Sequence, residues 1–425
     1  MLRPGRRTAR TLAALLCAVL MASLSVRTAT GEGSGDYLDF KYMYYWDRNG
    51  VWNHTPAFDW LTFLSPAWSF KWSQEFDVVS GASRRIGSDN TGKLGDHGVD
   101  ATSGASKRTT TGTPFANPWK DPAFDAVSGA SKREIRLSEN PGLTYSKNGS
   151  VYSGGIYYSD EPDYRSFSPS LTLSRDFNER NTTLSASGAW FFDDFHPQGA
   201  YSDQGGGKQI RSLTLSANQI LTPLTMLSLT ATGIYANGYL GHPYNPVILD
   251  SGFLIEERVP GDKTSWAVAA QLVQGYRLGG TLGSFHLQYR HYMDSWDLIA
   301  DDAELQWYQY FGGSAYVRLR ARGYAQGATA FYKDHYVGDE SYRSVDLRYS
   351  QFKSLLLGIK VSAPLFAEWE DSPLLPDRFD LSYDFGIRDT YGDQGTDRPF
   401  AHYQLFPSSE NYTEGTIFVG LGFDL

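Results

Sequence analysis

The sequence predicts an all-β fold, a closed antiparallel transmembrane β-barrel of about 16 strands, with 14 the next reading. Three observations carry that expectation. Short segments alternate strictly between apolar and polar residues. The chain holds 28 Tyr, 24 Phe, 11 Trp and 43 Gly while its mean hydropathy is only −0.39. Beyond the amino-terminal stretch, no apolar run reaches the 18 or so residues that a spanning helix needs. Barrel strands combine these features because every second residue faces lipid and the rest face a polar lumen.

The amino-terminal stretch is read apart from the barrel. Arg3, Arg6, Arg7 and Arg10 precede an apolar run from Leu12 to Leu24. A basic start, a short apolar run and small residues describe a secretory signal peptide, residues 1–25, with cleavage expected between 25 and 30. The single cysteine, Cys17, lies inside it, so the exported chain would have neither a disulfide nor a cysteine metal ligand. Loss of those four arginines would take the formal charge from −9 to −13. An acidic chain excludes non-specific nucleic-acid binding.

Alternation defines the strands. Leu213, Leu215 and Ala217 alternate with Thr214, Ser216 and Asn218, and Leu227, Leu229 and Ala231 with Ser228, Thr230 and Thr232. Phe285, Leu287 and Tyr289 oppose His286, Gln288 and Arg290. Two neighbouring segments set Asp302, Glu304 and Gln306 against Arg318, Arg320 and Arg322. Joined as a hairpin around Gly312-Gly313, they would place a carboxylate row beside a guanidinium row on one inner wall. At the carboxyl end, Ile417, Val419, Leu421, Phe423 and Leu425 alternate to the last residue. Such a closing strand is similar to those of bacterial outer-membrane barrels, which implies recognition by the barrel-assembly machinery. Turn signals at Asn148-Gly149, Asn237-Gly238, Gly205-Gly206-Gly207 and Pro260-Gly261-Asp262 separate the segments.

The pattern fails over residues 80–131, between a first barrel section at 36–79 and the remainder at 132–425. Gly, Ser, Thr and charged residues dominate there, as in a loop or plug. The motif Asp77-Val78-Val79-Ser80-Gly81-Ala82-Ser83 recurs at Asp100–Ser106 and again at Asp125–Ser131, and each copy is followed by two basic residues. Three matches to five fixed letters are not a chance event. The motif resembles the acceptor sequence of periplasmic flavin transferases, in which a terminal hydroxyl receives FMN through a phosphoester bond. That resemblance implies acceptors at Ser83, Ser106 and Ser131, with Asp77, Asp100 and Asp125 as the motif acids. A glycine two residues before the hydroxyl lets the backbone approach the transferase, and the following Lys or Arg can pair the phosphodiester. A repeated Asx or Ser/Thr turn would give the same letters. A calcium loop would use the same oxygens, but one carboxylate per copy is few.

Taken together, several stretches resemble an outer-membrane barrel family known as domain of unknown function 3570. They are Asp125–Ser131, Tyr158–Tyr164, Asn181-Thr182-Thr183, Gly238-Tyr239-Leu240 with Pro243-Tyr244, Tyr289–Trp296, Ala330-Phe331-Tyr332 and Asp346-Leu347-Arg348. The resemblance covers residues from Asp36 to Leu425 and implies a barrel in the outer membrane of a diderm bacterium, in contact with its lipid. It also implies an association with flavin transferases and small redox partners.

No catalytic constellation stands beside this. The eight histidines show no zinc spacing, and His286 and His291 fall on opposite strand faces. Asp193-Asp194 and Asp301-Asp302 read as solvated acids near strand ends. The sequence therefore points to a non-enzymatic barrel, with no metal site. Three functions are open to it: a scaffold for covalent FMN in electron transfer, a porin-like barrel with a structural plug loop, or a scaffold that docks a periplasmic partner.

Overall fold

The computed structural model describes residues 36–47, 52–79, 134–197, 203–242, 247–249, 254–312, 315–333, 336–365, 378–390 and 411–424. The amino-terminal segment, Ser83, Ser106, Ser131, Asp100, Asp125 and Leu425 lie outside these residues. In chain order the strands are β1 (Tyr37–Asp47), β2 (Trp52–Ser65), β3 (Trp68–Val79), β4 (Glu134–Lys147), β5 (Ser150–Asp160) and β6 (Tyr164–Phe177). There follow β7 (Thr182–Phe195), β8 (Gly206–Thr222), β9 (Thr225–Gly238) and a two-stranded ribbon, β10 (Val247–Ile248) and β11 (Leu254–Ile255). The last are β12 (Asp262–Leu278), β13 (Thr281–Asp294), β14 (Ile299–Phe311), β15 (Ala315–Gln326), β16 (Phe352–Pro364), β17 (Arg378–Thr390) and β18 (Asn411–Asp424).

All but the ribbon form one closed barrel of sixteen antiparallel strands, each paired with its sequence neighbours. Closure is made by β1 against β18, in register from Tyr37 opposite Asp424 to Asp47 opposite Glu414. The carboxyl-terminal alternation is thus a barrel strand, with Ile417, Val419 and Leu421 paired to Tyr44, Tyr42 and Phe40. β3 ends at Val79, and the next strand, β4, begins at Glu134.

The connections divide the barrel into two unlike ends. At the end holding the start of β1 and the end of β18, the described links are tight. Asn148 and Gly149 both take positive φ, 53° and 72°, as a two-residue hairpin turn requires. At the other end lie the connections 80–133, 239–261 and 327–351. Gly238 marks that long-loop end: its φ is 114°, and an added Cβ would stand 2.4 Å from the Gly207 carbonyl oxygen.

Side chains follow the pleat. Leu215, Val268, Leu287, Leu305, Leu319 and Leu357 point outward and are exposed. Their sequence neighbours line the interior. Trp68, Tyr145 and Tyr152 cluster outside at the short-turn end, with ring centroids 4.9 and 6.3 Å apart. Trp190 and Phe192 stack at 4.7 Å toward the other end. Aromatic rims above and below an aliphatic band are the outer surface of a transmembrane barrel. A 14-residue strand such as β13 rises roughly 35 Å at the usual tilt, enough to cross the ~25 Å apolar band.

This assignment of faces is directly testable. Leu287→Arg, on the lipid face near the middle of β13, should destabilise the barrel by about 2–4 kcal/mol. Gln288→Arg, one residue along and facing inward, should change stability by under about 1 kcal/mol. Urea midpoints of the barrel refolded into lipid vesicles give both values.

Candidate functional site

The inner wall has two chemically different halves. From β4 to β9 it is mainly a surface of hydroxyls that bond one another across strands, with the Asp193–Lys208 pair near the long-loop end. Thr144 meets Ser153 at 2.8 Å, Thr172 meets Ser187 at 2.9 Å, Ser185 meets Ser174 at 3.0 Å and Thr214 meets Thr232 at 3.0 Å. From β13 through the seam to β3 the wall carries charges. The expected hairpin is present: Glu304 lies opposite Arg322, and Gln306 opposite Arg320. Arg320 donates to Glu304 at 2.9 Å and reaches Asp384 at 3.4 Å. Arg322 binds Asp302 through its Nε at 2.7 Å, and Arg290 stands 3.7 Å from the same carboxylate. Lys360 pairs with Asp380 at 3.2 Å, and Arg378 bridges Asp380 and Asp39 at 3.4 and 3.3 Å. Lys41 and Lys71 both reach Asp59.

Gly358 makes room for one of these links. The Asp384 carboxylate lies across it, with Oδ1 1.8 Å from where a Cβ would be. The inward faces of β7 and β14 correct one expectation. Asp193 and Asp302 are not solvated acids; they are strand residues, 7% and 5% exposed. Asp193 accepts hydrogen bonds from Tyr164 and Ser166 at 2.5 and 2.7 Å. Strand parity turned them inward, while Asp301 faces outward to Tyr289 and His291.

Asp77 is the one motif acid among the described residues. It sits in β3 directly opposite Arg136 of β4, with which it forms an ion pair, and accepts hydrogen bonds from Thr55 and Asn53. The first copy of the repeat therefore begins inside a paired strand, with its acid 3% exposed. The Asp77–Arg136 pair closes the barrel wall below the point where the chain leaves for residues 80–133.

A second polar centre lies over the long-loop rim. Here connections 239–261 and 327–351 fold on each other around Val247, Tyr336 and Val345, with Leu249 and Ile255 against them. Trp296, from the short β13–β14 link, packs edge-on to Phe331 at 5.2 Å and Tyr349 at 5.6 Å, and donates to the Asp262 carbonyl at 3.0 Å. Parts of several family-like stretches, distant in sequence, meet at this clamp: Tyr239, Trp296, Ala330-Phe331 and the Asp346–Arg348 pair. The backbones of Arg258 and Arg343 exchange hydrogen bonds at 3.0 and 2.7 Å.

Glu257 is buried in the clamp. It accepts from Ser344 Oγ and from the His242 backbone N–H. Burial, then the neighbouring Asp346 carboxylate, push its carboxyl up to about 8. Arg348 grips Asp346 through Nε at 2.8 Å and holds that carboxyl below its usual range against the effect of burial. Burial and Arg348 lower His242 to about 3. Glu257, Ser344 and Arg343 carry no sequence signal of this role, because their partners lie 87 residues away in another loop. Among the described residues no group of acids, histidines or cysteines has the arrangement of a metal site.

The clamp should loosen with rising pH. Glu257 holds a proton in the folded state that the open state releases above about 4.5, so its contribution is lost as pH rises through about 8. The lowered His242 acts in the opposite sense between about 3 and 6.5, which leaves 6.5–8 as the window in which Glu257 alone acts. Amide protection at His242 and Arg343, corrected for intrinsic exchange, should fall across that window. Glu257→Gln, which keeps the acceptor without the charge, should flatten the dependence.

Among solved structures the chain is similar to a bacterial polysaccharide outer membrane secretin, at 8% identity and TM-score 0.45, over 92% of this chain and 98% of that one. It is similar to OccD3 (OpdP) of Pseudomonas aeruginosa at 12% and 0.43, over 93% and 92%. It is also similar to OpdK of the same organism, solved with vanillate, at 8% and 0.41, over 91% and 98%. No curated protein matches it by sequence. The model of the family described as protein of unknown function (DUF3570) matches residues 8–375, and the chain belongs to that family.

Proposed function

We propose that the protein is an outer-membrane barrel that carries residues 80–131 as a scaffold for covalent FMN in electron transfer. The threefold acceptor-like motif, strung between two adjacent barrel strands, carries this reading. Export by the amino-terminal segment, the lipid-facing band and the carboxyl-terminal strand support the membrane. In the attachment reaction a serine Oγ attacks the flavin-side phosphorus of flavin adenine dinucleotide. The phosphoanhydride breaks, AMP leaves, and the hydroxyl proton passes to a base of the transferase. One flavin cannot bridge an apolar band of about 25 Å, whereas several in series can, and a barrel of about 16 strands has room for such a segment.

The three acceptors are not equivalent. Ser83 belongs to the copy whose acid is locked to Arg136, and it follows β3 by four residues. Ser131 precedes β4 by three. Ser106 lies far from both strand ends, so its whole motif can enter a transferase active site. Intact-mass measurement and peptide mapping of protein co-produced with a flavin transferase should find FMN on Ser106 first. If none of the three serines carries FMN, the reading is lost.

The two-faced polar lumen favours a second reading, a porin-like passage with the insert as a plug. Single-channel recording in planar bilayers separates the two. A passage should conduct, and removal of residues 84–124 should raise its conductance; an ion-tight barrel would count against permeation.

A further inference from the structure

We infer that the lumen wall holds an anion-binding site centred on Arg318, whose ligand is the carboxylate of a small organic acid. The inference stands apart from flavin attachment; it needs only a lumen that solutes enter.

The first observation is a missing counterion. Around the charged wall, Arg290, Arg320, Arg322, Lys360, Arg378, Lys41, Lys71 and Arg136 each have a carboxylate within 4 Å. Arg318 makes no ion pair with any described residue, and its Nε is enclosed without a hydrogen-bond partner. Nor can the surroundings neutralise it. Its direct neighbour on β16 is Lys360, and its neighbour on β14 is Tyr308. Two cations opposite each other on adjacent strands repel. Among the described residues the acids beside this row are engaged by other cations, Asp380 by Lys360 and Arg378 and Asp384 by Arg320. On the hydroxyl-rich half, the inward acid Asp193 is already held by Tyr164, Ser166 and Lys208. An unmatched guanidinium in this position is relieved by an anion from solution, held by charge-assisted hydrogen bonds.

The second observation concerns what surrounds that charge. Tyr308 and Tyr316 flank Arg318, one across the strand pair and one two residues earlier on the same face, with ring centroids 5.7 Å apart. Tyr310 extends the cluster at 5.4 Å from Tyr316, and His286 adds a ring 4.7 Å from Tyr308. Lys360 lies 5.7 Å from the Tyr316 ring, so a second positive charge borders the same surface. A planar guanidinium edge matches a carboxylate in two-point fashion, and adjoining ring faces accept a flat or apolar organic body. A bare, strongly hydrated inorganic ion would gain nothing from the rings. That difference selects a carboxylic acid over phosphate.

The test uses full-length barrel purified in detergent at low salt, with titration calorimetry against benzoate, inorganic phosphate and benzylamine. Benzoate should bind, phosphate should bind more weakly, and benzylamine should not bind. Arg318→Gln should weaken benzoate by about tenfold or more, the loss expected for one charge-assisted pair. Arg322→Gln should leave benzoate affinity within about twofold, because Arg322 is already occupied by Asp302. Heat-modifiable migration on SDS gels reports that each variant is folded. Should Arg318→Gln not fold, Arg318→Lys keeps the charge without the fork and should give an intermediate loss. No benzoate binding to the parent barrel, equal affinity in the Arg318 variants, or phosphate binding tighter than benzoate would each overturn the assignment.

Discussion

The constraint on which everything else rests is that lipid offers no partner for a backbone N–H or C=O. A sheet exposed to it must therefore have no edge. The seam between β1 and β18 meets that demand, with backbone pairing that runs the full length of β1. Closure in turn fixes an even strand number for a wholly antiparallel sheet, and it fixes the face of every side chain. Because the pleat has a period of two, a single slip at the seam would turn Leu421 and Val419 into the lumen. The chemistry of the inner wall is thus a consequence of register, not of local preference.

That register explains how opposite charges become useful here. On an open surface, ion pairs such as Arg320–Glu304 contribute little. Along β13–β17 they are held at fixed spacing by the strands themselves, so few side-chain rotations are lost on pairing. They line one side of the lumen while hydroxyl ladders line the other. The loop clamp follows a different logic. Connections 239–261 and 327–351 cannot use the barrel ladder, and they satisfy their buried polar groups with side chains: Arg343 on the Glu256 carbonyl, Gln326 on the Arg348 and Ser350 carbonyls.

The wall was legible in the sequence because its rule is local. Alternation alone placed Leu287 and His286 on opposite faces, and the proximity of two alternating segments set a carboxylate row beside a guanidinium row. The clamp was not legible as a site. Its stretches stood out one by one, but nothing local links Glu257 to Ser344, since their contact depends on two loops emerging at the same rim. Asp193 and Asp302 were misread for a related reason. Adjacent acids near a strand end look solvated unless parity is followed to the last residue. Parity separates each pair, sending one carboxylate into the wall and its neighbour out.

The place of the repeat between β3 and β4 is the remaining consequence of closure. Those strands are sequential neighbours and pair from Trp68 opposite Tyr145 to Val79 opposite Glu134. Any length of chain can join them without altering the register of the other strands. The entropic cost of a longer connection grows only logarithmically, by roughly 0.6 kcal/mol for each doubling. Multiplication of a 23–25-residue unit therefore costs the barrel little, provided the last pairs before the exit hold. The buried Asp77–Arg136 pair stands at that exit, two residues from the last pair. An acid that opens the motif in the other two copies here also anchors the strand, so the first copy belongs partly to the barrel. The number of copies is thus free while the register of the wall that bears them is not.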